Sequence, residues 1–96
     1  LSLKQFEEGA LTEAILEAAV AEQPFEQPFT ATDIARWLEI TYPAYWSNLV
    51  ARLGALQETV NAVQQYLIAM AHPGQGSPTR HWFLVHSGAQ FRRRRY

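Results

Sequence analysis

Ninety-six residues, 48% of them hydrophobic and 12% aromatic, suffice for one compact core and leave too little chain for a second. Cysteine is absent, which excludes disulfide scaffolds and thiolate metal sites; no apolar run approaches the ~18 residues of a membrane span, and no basic-then-apolar leader opens the chain. The formal net charge of −1 conceals two charged ends: residues 1–58 hold nine acids against three bases, while residues 59–96 hold five arginines and no acid.

Together these features predict a single soluble, cytoplasmic domain over residues 1–96, with residues 1–10 as an N-terminal extension. Leu1 is not the product of a start codon, so residues upstream are expected.

Along the chain, "LTEAILEAAVAEQ" places Leu11, Ile15, Ala18, Ala19 and Val20 at helical spacing behind Thr12 as a cap, and predicts a first helix with Glu13, Glu17 and Glu22 exposed. The tandem "EQPFEQPF" contains Pro24 and Pro28, which interrupt backbone pairing, so it reads as a connector with at most one short edge strand, its Phe25 and Phe29 dipping into the core. In "FTATDI", Thr30 and Asp33 stand at capping-box spacing and Phe29 and Ile34 at the staple positions. A second helix therefore starts here, with Ile34, Trp37, Leu38 and Thr41 as its buried stripe, and stops near Tyr42 before Pro43.

Beyond Pro43, apolar residues at Trp46, Leu49, Leu53, Leu56, Val60, Val63, Leu67 and Met70 alternate spacings of three and four. Either one helix runs from about Ala44 to Ala71 or two meet near Gly54, and the helix-weakening glycine favours a bend. Asn61, Gln64, Gln65 and Tyr66, the outward positions that follow, carry no charge, which suggests a covered face. Residues 72–79 are dense in breakers and form a loop. Residues 80–96 read as a β-hairpin: His81 to Val85, a turn over Ser87 to Gln90, and a returning strand from Phe91. Alternation puts Phe91, Arg93 and Arg95 on one face of that strand and Arg92, Arg94 and Tyr96 on the other.

This order of elements, from Leu11 to Tyr96 and above all in "FTATDIARWLEITYPAYWSNLVARL", resembles the winged-helix branch of the helix-turn-helix superfamily. The expected fold is α+β and mostly helical, with three to four helices and a C-terminal hairpin as the wing. The resemblance implies duplex DNA as partner, with the helix after Pro43 in the major groove and the wing on phosphates. If Trp46, Leu49, Val50 and Leu53 face the core, Tyr45, Asn48 and Arg52 share the opposite face, where tyrosine, asparagine and arginine have suitable groove chemistry. Arg80 and Arg92, Arg93, Arg94 and Arg95 are the candidate phosphate clamps; four or five such contacts predict a salt slope of about −4. All five bases of this half are arginine, the residue suited to bidentate contact with phosphate or carboxylate.

The alternative is a winged-helix interaction module without catalysis, docking a protein through the uncharged helix and an acidic protein through the arginines. Val60, Val63, Gln64, Leu67 and Met70 are the candidate interface for that partner or for a homodimer. No enzymatic role, metal or cofactor is expected: His81 and His86 fall on opposite faces of a strand, and no nucleophile motif or phosphate-binding glycine loop is present.

Overall fold

The structure, a computed structural model, describes residues 13–71 and 82–95. The expected N-terminal extension, the Thr12 cap, the loop over residues 72–79, Arg80, His81 and Tyr96 lie outside the described residues. Within them are four helices, α1 (Glu13–Ala21), α2 (Ala31–Thr41), α3 (Pro43–Leu53) and α4 (Leu56–Ala71), and an antiparallel hairpin of β1 (Trp82–Ser87) and β2 (Gln90–Arg95). The fold is thus α+β and mostly helical.

The local signals explain the boundaries. Thr30 Oγ1 accepts from the Asp33 amide while the Asp33 carboxylate accepts from the Thr30 amide at 2.8 Å, so the capping box forms and starts α2. Pro43 takes the first turn of α3, where its missing N–H leaves no bond unmade. At the other end Gly54 adopts φ 94°, a left-handed conformation that glycine enters without a Cβ penalty, and donates to Val50 O at 2.9 Å. The long apolar stripe is therefore broken into two helices. In the hairpin, Gly88 (φ 59°) occupies the first central position of a two-residue turn, which matches the twist of the flanking strands.

α4 is the hub: it packs on α1, α2, α3 and β1. Its Val63, Leu67 and Met70 join Ile15, Leu16, Ile34, Leu38, Trp46 and Leu49 in one core. That placement corrects the expected interface. Val63 and Leu67 are 0% exposed and Met70 4% exposed inside the monomer, leaving only the half-buried Val60 and Gln64 of the five candidates near the surface. The heptad spacing is satisfied by neighbours within the same chain.

Three stretches differ from the periodicity. In α2, Ala31 and Ala35 are buried, whereas Trp37 is half-buried and Thr41 exposed; the Trp37 ring meets Tyr42 edge-on at 5.8 Å. In α1, Leu16 is buried, Ala18 is exposed and Glu17 is half-buried. Leu53 and Leu56, flanking the break at Gly54, are 40% and 59% exposed.

The connector contributes a third strand-like segment. Phe29 and Phe91 exchange both backbone hydrogen bonds at 2.8 Å, with rings stacked at 6.0 Å, so β2 lies between β1 and the connector. Phe29 is buried and Phe25 packs against the core, as the sequence predicts.

Candidate functional site: an arginine strand divided by its own alternation

β2 carries four consecutive arginines, and the pairing register assigns each to a face. Trp82 pairs with Arg95, Leu84 with Arg93 and His86 with Phe91; Phe83 pairs with Arg94, Val85 with Arg92 and Ser87 with Gln90. Because Phe91, Leu84 and Trp82 are buried, Arg93 and Arg95 belong to the inner face, and Arg92 and Arg94 to the outer one.

On the inner face the tandem "EQPFEQPF" serves as a receptor. Arg93 donates from Nε and Nη2 to the Gln23 carbonyl at 3.0 and 2.6 Å, just past the end of α1, where carbonyls lack helical partners. Its guanidinium lies 3.8 Å from the centre of the Phe25 ring and 5.5 Å from that of Trp82, and Arg95 also sits over Phe25, at 4.3 Å. Such stacking stabilises a cation while removing little of its hydrogen-bonding capacity. Burial lowers the Arg93 pKa, the nearby Arg95 charge lowers it further, and Glu22 opposes both. These two arginines hold the hairpin on the connector. Arg93→Ala is accordingly expected to destabilise the domain by about 2 kcal/mol in urea denaturation, with Arg93→Lys recovering less than half, since lysine lacks the planar fork. A loss under about 0.5 kcal/mol, typical of an exposed side chain, would show that this contact is incidental.

The outer face is different. Arg94 meets Glu26 through Nε at 3.2 Å, an exposed pair that engages one edge of the guanidinium. Arg92 is exposed and makes no hydrogen bond or ion pair among the described residues. With Ser87, Gln90, Val85, His86 and Pro28 they border a depression of about 400 Å³. Two arginines two residues apart root about 6.6 Å from one another, and their mutual repulsion in water is only ~0.6 kcal/mol, so the row is tolerable without a ligand.

Glu26 is the unusual member of the connector. It has φ 64°, the one positive value at a non-glycine among the described residues, while its amide donates to Arg93 O at 2.9 Å. The left-handed turn costs about 1 kcal/mol and sets the Glu26 carboxylate beside Arg94.

The groove-reading set on α3 is only partly assembled. Asn48 is exposed, as is Arg52, which has interactions within the chain. Tyr45 is a correction: it is 4% exposed, because α3 is covered by both α2 and α4 and the buried face runs through Tyr45, Trp46 and Leu49 rather than on to Leu53. A buried tyrosine cannot reach a phosphate or a base.

Burial, reinforced by Tyr66, pushes the Tyr45 pKa from its ordinary 10.0 up to about 12. The unfolded chain then loses this proton near pH 10 and the native chain near pH 12, so the associated stability is whole below pH 10 and fades as pH rises to 12. Tyr45→Phe is expected to flatten the alkaline fall in stability by on the order of 2 kcal/mol over that window. Equal slopes for the two proteins in denaturation at stepped pH would contradict the burial.

The hairpin does not pack chiefly against α3. β1 rests on α4, and β2 on the connector, which separates the arginine strand's support from the helix that bears Asn48. Nothing in the sequence marks "EQPFEQPF" as the arginines' dock, although it brings both aromatic rings and carboxylates, the two kinds of partner that guanidinium groups take.

Four helices followed by a two-stranded antiparallel hairpin are compatible with a winged-helix arrangement. No family model matches the chain, and neither a curated protein nor a solved structure is significantly similar to it. Among the described residues no group of three histidine, cysteine, aspartate or glutamate side chains is placed to hold a metal, and no helix is long and apolar enough to cross a membrane.

Proposed function

We propose that this is a winged-helix domain that binds duplex DNA through the phosphate backbone, with the outer face of the hairpin as its principal contact. One observation carries the reading: Arg92 and Arg94 project from the same face of an ordered strand, with Ser87 and Gln90 beside them, while Arg93 and Arg95 are occupied in holding that strand. Asn48 and Arg52 of α3 are secondary candidates, and base reading is weak because the helix brings one arginine and one asparagine. The acidic residues all lie within residues 1–58, a distribution that favours approach of a polyanion from the hairpin side.

Binding of a random duplex, followed by fluorescence anisotropy across salt, tests this. With two outer arginines on phosphates the expected slope of log K against log salt is about −2, rather than the −4 that four or five equivalent arginines would give.

A second reading, a protein-docking module, draws on the apolar side chains left near helix ends: Ile40 is 81% exposed, Leu56 59% and Leu53 40%. Under that reading the duplex does not bind at any salt, and Ile40→Asp abolishes association with a protein instead.

A further inference from the structure

We infer that the depression on the outer face of the hairpin is a seat for a phosphate monoester, with Glu26 as its built-in competitor. This rests on the hairpin's outer face being an anion contact, and it adds the kind of anion and the way access is controlled.

The chemistry of the lining points to the ligand. Arg92 and Arg94 supply two guanidinium groups, and Ser87 and Gln90 supply a hydroxyl and a carboxamide from the facing positions of the turn. Among the described residues, no carboxylate lines the depression. A carboxylate ligand brings a single negative charge against two arginines, whereas a phosphate monoester brings three terminal oxygens and a charge of roughly −1.5 to −2 that matches both. A backbone diester carries about half that charge and binds the same groups less well. The space of about 400 Å³ exceeds what a phosphate group fills, and Pro28 and Val85 give it an apolar side on which the carrier of the phosphate can lie.

Glu26 regulates entry. Its carboxylate occupies Arg94 Nε at 3.2 Å, and its left-handed backbone, anchored by the amide bond to Arg93 O, fixes it there. An incoming phosphate must compete with it for one edge of Arg94, which lowers affinity without blocking the site, because the pair is itself half exposed.

The test uses the whole chain, ¹⁵N-labelled, with resonances of the Ser87 and Gln90 amides and of the Arg92 and Arg94 Nε groups as readouts. Adenosine 5′-monophosphate is expected to shift these four together, with saturation at low millimolar concentration; adenosine at the same concentration is expected to leave them in place. Arg92→Ala should weaken binding about tenfold and Ser87→Ala about threefold with no change of charge, while Glu26→Gln should tighten it about threefold. No shift up to about 10 mM, or equal shifts at Arg36 and Arg52, would overturn the seat, as would a Glu26→Gln variant that binds no better.

A duplex carrying 5′-phosphates, compared with the same duplex carrying 5′-hydroxyls, separates a nucleic-acid end from a free nucleotide as the source. Tighter binding of the phosphorylated end supports the seat on DNA. Mononucleotide binding without any duplex binding keeps the seat and removes the DNA reading. Equal binding of both duplexes, with no mononucleotide response, keeps the DNA reading and removes the seat.

Discussion

Phe91→Ala is expected to destabilise the domain by 3–5 kcal/mol, roughly a third to a half of what a chain of this size typically has. The side chain is 0% exposed, its ring stacks on Phe29 at 6.0 Å and lies 5.8 Å from His86, and its backbone joins β2 to the connector through two 2.8 Å hydrogen bonds. Truncation empties the space between connector and hairpin, while the backbone bonds alone hold the strand weakly, since each contributes only about 1 kcal/mol net. Because Phe91 immediately precedes Arg92, the outer arginines lose their fixed placement as well, and anion binding should fall together with stability. Urea denaturation measures the first effect; a loss below about 1 kcal/mol would mean that the hairpin is not anchored through this ring.

The second large effect is on binding. Arg92→Ala with Arg94→Ala is expected to weaken association with a random duplex about 100-fold at moderate salt, since each charge-assisted contact to phosphate is worth about tenfold. The same change should flatten the salt slope by about 1.8, twice the 0.9 per phosphate, while leaving stability within about 0.5 kcal/mol. The small stability effect follows from geometry: Arg92 has no partner among the described residues and the Arg94–Glu26 pair is half exposed, the kind of ion pair that contributes little. The contrast with Arg93, adjacent in sequence and opposite in face, is the sharpest consequence of strand alternation in this molecule.

Much of this architecture is legible in local sequence. The capping box at Thr30 and Asp33, the stop at Pro43, the break at Gly54 and the turn at Gly88 are local, and each depends on a residue whose backbone chemistry permits little else. What periodicity could not supply was the identity of the neighbours. A stripe such as Val63, Leu67 and Met70 looks the same whether it meets a second copy or the chain's own helices, and four packed neighbours around α4 decide for the latter. Tyr45 went inward for a related reason: a helix covered by two others buries a wider face than a single stripe of spacing predicts. Alternation alone separates Arg93 and Arg95 from Arg92 and Arg94, but it leaves all four as candidate phosphate clamps, because the contact of "EQPFEQPF" with one face joins residues about seventy positions apart.

The most direct measurement is the duplex titration on two single variants in parallel, Arg92→Ala and Arg93→Lys, across a range of salt. If the outer face is the contact, Arg92→Ala loses about tenfold in affinity and close to one unit of slope, whereas Arg93→Lys, which keeps the charge but not the fork, binds as the parent does where it remains folded. If Arg92→Ala binds DNA with unchanged affinity and slope, the outer face of the hairpin is not the binding surface.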